Sequence, residues 1–373
     1  MTEGAPPAGR TRRRIGLAII GAGRVGRFRA ALARRHPMVD WIGICDLRED
    51  RAQEVGALCE ADLVTTDWRV LLDRPEVTAV IVATDEHLHV EPSLVAAGRG
   101  MALMIEKPLA TRLEDSARVL AEIERTGVDA VVGYTQRFRR RWLSAKERLR
   151  TGALGEVTMV TSRTLMNRLV ALDAYRRAGD RSTVSPMVVS GTHALDIALW
   201  LLEGKTPVEV YARSVDRVLG PEVGGIDGTA GLITFADGAV CQFGMSWALP
   251  VAWPAAVYSL DVAILGTGGV LTIDDTHRDI VLATDEPQTE GYAPDRRRLV
   301  DFLGSYPPGD MAFGELRGPM REETLGWFDR ISLGVASPHA TAAEAHRCLM
   351  MTKAFDLSAR LGRPVPFPIE ASG

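Results

Sequence analysis

The chain has 373 residues, enough for two or three domains of ordinary size. Hydrophobic residues make up 46% and charged residues 25%, so the sequence can bury a core, and the disordered and fibrous classes are excluded. Lysine and arginine number 44 against 48 acidic residues, a net charge of −4, so we expect neither nucleic acid nor an anionic membrane as a partner.

The chain begins with an arm, residues 1–13, that we expect to be disordered. Three arginines at positions 12–14 precede the apolar run 15–20, which has the outline of a twin-arginine export signal. Because that run is short and leads directly into a glycine motif, cleavage there would destroy a site. We therefore expect a cytoplasmic protein. No apolar run approaches the ~20 residues of a membrane span.

Strand-length apolar runs alternate with helical patterns in the first third of the chain. The predicted strands are residues 15–20, 41–45, 77–83, 101–105 and 130–132. The predicted helices between them include residues 24–35, 48–58 and 87–97. This alternation predicts a doubly wound parallel sheet over residues 14–135, that is, an α/β domain.

Strand-like runs dominate after about residue 136. They cover residues 156–164, 208–214, 229–235, 239–247, 258–265 and 270–273. Helical patterns cover residues 137–151, 193–202, 321–333 and 341–361. We expect loops at residues 287–319, where proline, glycine and charge occur without a period. Residues 136–373 are therefore predicted to form an α+β domain on an antiparallel sheet.

The four cysteines, Cys45, Cys59, Cys241 and Cys348, lie far apart in the sequence. There is no CxxC pair and no Cys/His cluster with the spacing of zinc ligands, so we predict no metal site. Isolated cysteines of this kind are typical of reduced, buried thiols.

Residues 21–26 have the pattern GxGxxG at the end of the first predicted strand. Gly21 permits a tight turn, Gly23 lets the backbone approach a pyrophosphate, and Gly26 lets helix and strand pack closely. The following helix offers N–H groups and a positive dipole end to phosphates. The pattern predicts a dinucleotide site, and a glycine-rich turn without a ligand is the alternative.

Asp46 ends the second predicted strand, 20 residues past Gly26. A carboxylate at this position accepts hydrogen bonds from the adenosine ribose and repels a 2′-phosphate, which favours NAD over NADP. Arg48 is close enough in sequence to bind that phosphate, so NADP stays open.

Glu106, Lys107 and Pro108 end the fifth predicted strand. Ligands of such sheets bind at the carboxyl ends of the strands, so we expect Lys107 to point into the crevice. A salt-bridged surface turn is the alternative.

His193 and Asp196 lie three residues apart at the start of a predicted apolar helix, and therefore on one face of it. A histidine there is suited to proton transfer near neutral pH, with a purely structural histidine as the alternative.

Together these motifs resemble the Gfo/Idh/MocA family of NAD(P)-dependent oxidoreductases, which is related to glucose–fructose oxidoreductase and inositol dehydrogenase. The similarity runs from about residue 15 to residue 366. It rests on residues 21–26, 82–84 with His89 following, 106–110, 132–138, 191–196, 258–273 and 358–364. The tripeptide EKP at residues 106–108 is its most specific element.

The resemblance implies a Rossmann domain followed by a mixed α/β domain with a large open sheet. Such a sheet often forms an oligomer interface, so we expect a homo-oligomer, a dimer or a tetramer. It also implies hydride transfer between the nicotinamide C4 and a carbinol carbon of a small sugar-like substrate, with Lys107 and His193 as the catalytic acid/base pair. The implied cofactor contacts are Gly21, Gly23, Arg24, Val25, Gly26, Asp46, Thr84, His89, Glu106 and Lys107.

The chain departs from the family pattern at three places. Val189 stands where the family often has an aspartate, four residues before the histidine. Residues 182–187 replace a glycine-rich run, and Asp85 and Glu86 replace a Pro-Asn pair. We therefore expect a modified sugar or another cyclic alcohol rather than a common polyol such as inositol, with an apolar or deoxygenated face toward Val189.

The candidate substrate contacts are Lys107, Arg137, Val189, His193 and Trp247. Arg137 follows the last strand of the first domain, where a solvated or salt-bridged arginine is the alternative. Trp247 follows a predicted strand and would either stack on a sugar face or pack in the core.

Two other functions stay open. One is a hydrolase or lyase that retains NAD and oxidises its substrate transiently beside a glycosidic bond. The other is a cofactor-binding sensor, against which the presence of Lys107 and His193 argues.

Overall fold

The computed structural model describes residues 12–253, 258–274, 280–289, 297–303 and 308–370. The predicted arm at residues 1–13 therefore lies almost wholly outside the described residues. The chain divides into two compact units. The first comprises the described part of Met1–Leu109 together with Ala117–Gly133 and Arg321–Ala342, and the second comprises Ala110–Ser116, Tyr134–Met320 and the residues from Ala343 onward.

Strands and helices occur in both units. The strands are β1 (Ile15–Ile20), β2 (Val39–Cys45), β3 (Leu63–Thr65), β4 (Ala79–Val82), β5 (Ala102–Glu106), β6 (Ala130–Gly133), β7 (Val157–Asn167), β8 (Pro207–Val215), β9 (Gly228–Phe235), β10 (Val240–Leu249), β11 (Tyr258–Gly266), β12 (Gly269–Ile273), β13 (Ile280–Thr289), β14 (Arg297–Leu303), β15 (Asp310–Ala312), β16 (Glu315–Arg317), β17 (Ala340–Thr341) and β18 (Val365–Pro366). The helices are α1 (Arg24–Ala33), α2 (Glu49–Cys59), α3 (Trp68–Leu72), α4 (Val90–Gly98), α5 (Leu113–Thr126), α6 (Arg140–Arg150), α7 (Arg168–Arg177), α8 (Thr192–Leu201), α9 (Leu219–Val223), α10 (Pro319–Leu333) and α11 (Ala342–Leu361).

The first unit is built on a sheet with the strand order β17-β6-β5-β4-β1-β2-β3. All neighbouring strands in this sheet are parallel except the β17–β6 pair, which confirms the predicted doubly wound sheet. Its central strands are buried on both faces; every residue of β1 is buried, for example. This burial is why continuous apolar runs in the sequence locate these strands. The sequence patterns missed the short elements β3 and α3.

A single domain boundary after residue 135 is predicted, but in the structure the chain returns to the first unit at Arg321–Ala342. Helix α10 brings Trp327 and Phe328, both without exposed surface, into the same apolar cluster as Ile15 and Ile44. After α10, β17 extends the sheet by pairing antiparallel with β6, with Ala340 opposite Val132. The apolar face of α10 therefore completes the core of the first unit.

The second unit is built on a sheet with the strand order β12-β11-β7-β10-β9-β8-β18. Strands β7 and β10 are parallel, and the other neighbours are antiparallel. The sheet is therefore mixed, and the predicted wholly antiparallel sheet is wrong at the β7–β10 pair. Alternation along β10 buries Cys241, Phe243, Met245 and Trp247 on one face.

The prediction of loops at residues 287–319 is wrong for residues 287–289, 297–303, 310–312 and 315–317, which form strands. Residues 290–296 and 304–307 lie outside the described residues. Strands β13 and β14 form one antiparallel pair, and β15 and β16 form another. Charged and proline-containing strands of this kind lack the apolar alternation by which strands are recognised in a sequence. Among the described residues, no helix has both the length and the apolar character needed to cross a membrane.

Candidate active site

The glycine motif forms the turn between β1 and α1. Gly21 has a φ of +102°, and a Cβ built there would lie 2.4 Å from the carbonyl oxygen of Ala83. A Cβ on Gly26 would lie 1.9 Å from the carbonyl oxygen of Gly21. At Gly23, by contrast, an added Cβ meets no described heavy atom within 4 Å. The turn is therefore closed on the sheet side and open at Gly23, which fits the approach of a pyrophosphate.

The N-terminus of α1 has the electrostatic character that an anionic group needs. Gly23 is the N-cap residue, no described side chain caps the helix there, and its first turn contains no acidic residue. The positive end of the helix dipole is therefore not neutralised from within the helix. Arg24 and Val25, two predicted cofactor contacts, lie in this first turn.

Asp46 follows β2 at the edge of the glycine turn. Its Oδ2 accepts a hydrogen bond from the Ala22 N–H at 2.8 Å, and its Oδ1 accepts one from the Arg48 N–H at 2.9 Å. Each carboxylate oxygen keeps a second lone pair, so the group can also accept from ribose hydroxyls. The Arg48 guanidinium is exposed and pairs with Asp50, whose hydrogen bonds raise the arginine pKa.

Glu106 ends β5 and is held by Arg29 of α1. Arg29 Nε donates to Glu106 Oε1 at 2.8 Å, and a second guanidinium nitrogen donates to the same oxygen. Glu106 therefore forms an ion pair with a buried partner inside the first unit. Lys107, the next residue, is partly buried, and the Lys107–Pro108 peptide bond is cis.

His89 connects the segment after β4 to the EKP tripeptide. Its ring is fully buried, with Nδ1 at 2.9 Å from the Pro108 carbonyl oxygen and Nε2 at 3.2 Å from the Thr84 carbonyl oxygen. The histidine thus supports the backbone at two strand ends. Thr84 is itself partly buried.

His193 is the second residue of α8 in the second unit. The five residues before this helix, Met187–Gly191, form a π-helical turn that continues directly into α8. The ring of Tyr134 faces His193 edge-on, with the ring centroids 6.3 Å apart. Turns of this kind are frequent at functional sites.

Tyr134 and Cys348 hold Thr192, the residue before the histidine. Tyr134 Oη lies 2.8 Å from Thr192 Oγ1, and Cys348 Sγ lies 3.5 Å from the same oxygen. Burial raises the pKa of Tyr134 well above its usual value of 10, so the phenol keeps its proton at neutral pH. Tyr134 therefore contributes a hydrogen bond that holds Thr192 at the start of α8.

Asp196 pairs with Arg137. Arg137 donates to both carboxylate oxygens, at 2.7 and 2.8 Å, and also to Glu344 at 3.1 Å. Both members of the Arg137–Asp196 pair are almost completely buried. The salt-bridged alternative for Arg137 is therefore the one observed, and the expectation of a substrate contact there is not supported.

Trp247 is a core residue. Its ring has no exposed surface, its Nε1 donates to the Ile226 carbonyl oxygen at 2.5 Å, and it packs edge-on against Tyr175. A ring without exposed surface cannot stack on a sugar, so the predicted substrate contact at Trp247 is wrong. Val189 lies in the π-helical turn and is partly buried.

The cysteines are free and buried, as predicted. Burial raises the pKa of Cys59 to about 11 and of Cys45, Cys241 and Cys348 to about 12, so none supplies a thiolate at neutral pH. Within the described part of the chain, no group of three or more histidine, cysteine, aspartate or glutamate side chains is placed to hold a metal ion.

The structure brings the predicted site residues together within each unit. Residues 21–26, Asp46, Thr84 and residues 106–107 lie at the carboxyl ends of neighbouring parallel strands in the first unit. Val189 and His193 lie on one continuous helical segment in the second. Sequence reasoning missed Arg29, although a charged residue beside the apolar Ala30 and Ala33 on α1 was a visible signal.

Comparison with protein families agrees with this geometry. The model of the Gfo/Idh/MocA oxidoreductase family, NAD-binding Rossmann fold, matches residues 15–134. The model of the Gfo/Idh/MocA C-terminal domain matches residues 142–272. Together the two matches cover most of the chain.

Individual relatives point the same way. Myo-inositol 2-dehydrogenase of Thermotoga maritima is 28% identical over 297 residues, 78% of this chain and 83% of that protein. D-glucoside 3-dehydrogenase of Escherichia coli is 25% identical over 264 residues, 69% of each protein. The scyllo-inositol dehydrogenase of Lactobacillus casei, solved with NAD(H) and scyllo-inositol, shares the fold with a TM-score of 0.74 at 15% identity, over 97% of this chain and 100% of that one. The chain therefore belongs to the Gfo/Idh/MocA family of oxidoreductases, and its first unit is an NAD-binding Rossmann domain.

Proposed function

We propose that this protein is an NAD-dependent dehydrogenase or reductase that acts on a secondary alcohol, or the corresponding ketone, of a sugar-like or other cyclic substrate. The observation that carries the proposal is the open glycine turn with Asp46 held beside it and Lys107 at the end of β5. The curated relatives named above are dehydrogenases of an inositol and of glucosides, which supports the CH–OH substrate class.

Asp46 selects NAD in this proposal. The Ala22 N–H fixes the carboxylate at the edge of the glycine turn, where it is available to the ribose hydroxyls. The 2′-phosphate of NADP would meet this negative charge, while the Arg48 side chain that could neutralise it pairs with Asp50. The contacts of both side chains therefore favour NAD.

In this proposal, Lys107 accepts the hydroxyl proton of the substrate and His193 passes it on. Bound NAD supplies the hydride acceptor, the nicotinamide C4. When the hydride leaves the carbinol carbon for bound NAD, the Lys107 amine would take the hydroxyl proton, and the C–O bond would become a carbonyl. His193 is the partner that passes the proton on.

Val189 shapes the substrate preference. The position contributes an apolar side chain in the turn that precedes His193. A hydroxyl placed against it would lose its hydrogen bonds with water without gaining a partner from that side chain. We therefore expect a substrate with a deoxygenated or otherwise apolar face, such as a modified sugar, in preference to a fully hydroxylated polyol.

The outer face of the second sheet supports homo-oligomer formation. Val240, Met159, Leu265 and Val270 stand opposite one another on four adjacent strands. The last three are 42%, 38% and 63% exposed, so they form an apolar row across the sheet. A second copy would cover it, and replacing Met159 and Val270 with aspartate should lower the mass measured by sedimentation.

A substrate screen tests the enzymatic proposal. The purified protein is mixed with NAD or NADP and a panel of inositols, D-glucosides and deoxygenated or aminated sugars, and reduced nicotinamide is followed by absorbance. We expect reduction of NAD by at least one alcohol, with deoxygenated sugars preferred to inositols. Bond cleavage without net NAD reduction would instead indicate the NAD-retaining hydrolase or lyase. Tight NAD binding without any turnover would indicate a sensor.

A further inference from the structure

Ser185 and Asp356 form a hydrogen bond that the proposed chemistry does not use. Ser185 Oγ donates to Asp356 Oδ2 at 2.7 Å, and both residues belong to the second unit. The same serine oxygen accepts the Val188 N–H at 3.1 Å, and the Ser185 carbonyl accepts the Val189 N–H at 3.2 Å. Ser185 therefore joins α11, which carries Asp356, to the start of the π-helical turn.

The turn held in this way leads directly to His193. Residues Met187–Gly191 continue into α8 without a break, so turn and helix share one run of backbone. Ser185 is eight positions before His193, about two helical turns. A shift of the first π-helical residues would therefore reach the histidine along this backbone.

The Asp356 carboxyl is unusual in its surroundings. Its Oδ1 is fully buried and has no hydrogen-bond partner among the described residues. Burial raises the pKa of this carboxyl to about 6. Buried polar atoms without partners are costly, so a carboxylate in such a place is expected to have a role.

Few charged groups act on this carboxyl. Lys353 and Arg360 lie on the same helix and lower its pKa, and Ser185 faces it from the turn. From α7, Tyr175 is close enough for its own pKa to be raised by Asp356. Lys353 is itself surrounded by a wider charged cluster of Arg112, Glu114 and Asp180. None of these groups replaces the Ser185 contact to the turn.

We propose that Asp356 is a positioning residue, which acts through Ser185 to fix the π-helical turn and so places His193 for proton transfer. This inference rests on the proposed function of His193. Thr192, the neighbour of the histidine, is held separately by Tyr134. Loss of the Ser185–Asp356 contact should therefore leave α8 folded but let the turn before it move.

Four variants of the full-length chain test this proposal. Ser185→Ala and Asp356→Leu remove the contact, and Asp356→Asn keeps an oxygen that can accept from Ser185. Ser182→Ala is the matched control, because its hydroxyl also bonds to an aspartate, Asp180, on the same loop but makes no described contact with the turn. Each variant is analysed by amide hydrogen exchange over residues 185–193 and by kcat and KM with the best alcohol of the substrate screen.

The two readouts separate positioning from general stabilisation. Ser185→Ala and Asp356→Leu should exchange faster at residues 185–193 and lose roughly 10- to 100-fold in kcat, with the KM for NAD unchanged, since small displacements of a reacting group have effects of that size. Asp356→Asn should recover most of the rate, and Ser182→Ala should match the unsubstituted enzyme.

Two results would overturn the proposal. Unchanged exchange in Ser185→Ala would show that the contact does not hold the turn. Faster exchange with unchanged kcat would show that the turn does not place a catalytic group. If no alcohol in the screen is oxidised by the unsubstituted enzyme, the proposed function fails together with the catalytic part of this inference. The exchange measurement would then still decide whether Asp356 holds the turn.

Discussion

Glu106 is held by the guanidinium of Arg29, a side chain without exposed surface. The same guanidinium donates to Glu323 at 2.8 Å and to Thr324 at 2.7 Å, so it joins α1, β5 and α10 inside the first unit. Burial alone would lower the pKa of Arg29, but the two carboxylates raise it overall, and the group stays charged. The strand end that carries Lys107 is therefore fixed by a buried ion pair.

Replacing Arg29 by methionine should strongly destabilise the protein. The change leaves Glu106 and Glu323 as neighbouring carboxylates without their common partner, and breaking a buried pair in this way costs about 3–5 kcal/mol. The free energy of unfolding from urea titration measures the effect. Arg34→Ala, which removes an exposed ion pair with Glu60 just past the end of the same helix, is the control and should cost under about 1 kcal/mol. A similar small loss for Arg29→Met would contradict the structural role.

Asp46→Ser should shift the cofactor preference from NAD toward NADP. The substitution removes the negative charge beside the ribose and keeps a hydroxyl that can accept from the Ala22 N–H. Dissociation constants for both cofactors, measured by calorimetry, should converge or invert. Asp40→Asn is a suitable control because Asp40 lies near the start of β2, the strand that Asp46 follows, and pairs with Arg14. An unsubstituted protein that already prefers NADP would refute the assignment of Asp46.

Lys107→Met should remove activity without removing the cofactor. A general acid or base contributes roughly 10²–10⁴-fold to a rate, so kcat should fall by about that factor. Because the glycine turn and Asp46 are unchanged, the variant should still bind NAD. Turnover and NAD titration on the same preparation give both quantities. A normal kcat in this variant would exclude Lys107 as the proton acceptor.

Asp356→Asn should stabilise the protein above about pH 6. The folded carboxyl has its pKa raised from 3.8 to about 6, so the folded state loses stability as the pH rises between these values. Asparagine removes this ionisation. The variant should therefore gain about 1–3 kcal/mol at neutral pH, since each pKa unit corresponds to about 1.4 kcal/mol. The gain should disappear near pH 4, and a gain independent of pH would contradict this cause.

Much of the first unit follows from local sequence. The strands are continuous apolar runs because both faces of the sheet are buried, and the turn at Gly21 requires a residue that tolerates positive φ. The burial of the four cysteines is predictable because isolated cysteines are typically buried, reduced thiols. The open approach at Gly23 agrees with the role that its place in the motif predicts.

The remaining features depend on contacts between residues far apart in the chain. Arg29 meets Glu323 across 294 positions, and Ser185 meets Asp356 across 171. No local pattern reports such pairs. From the sequence alone, Trp247 could either stack on a sugar or pack in the core. In the fold it is buried and packs against Tyr175. The end of β13 and strands β14 to β16 lack apolar alternation, so sequence patterns predict loops there.

Transfer of a labelled hydride tests the central claim most directly. An alcohol from the screen, carrying deuterium on the reacting carbon, is incubated with the enzyme and NAD, and the nicotinamide and sugar products are analysed by mass spectrometry. We expect one deuterium on the reduced nicotinamide for each ketone formed, and about 10²–10⁴-fold slower transfer with Lys107→Met. Product formation without deuterium on free reduced nicotinamide, or with the label returned to the sugar, would contradict it.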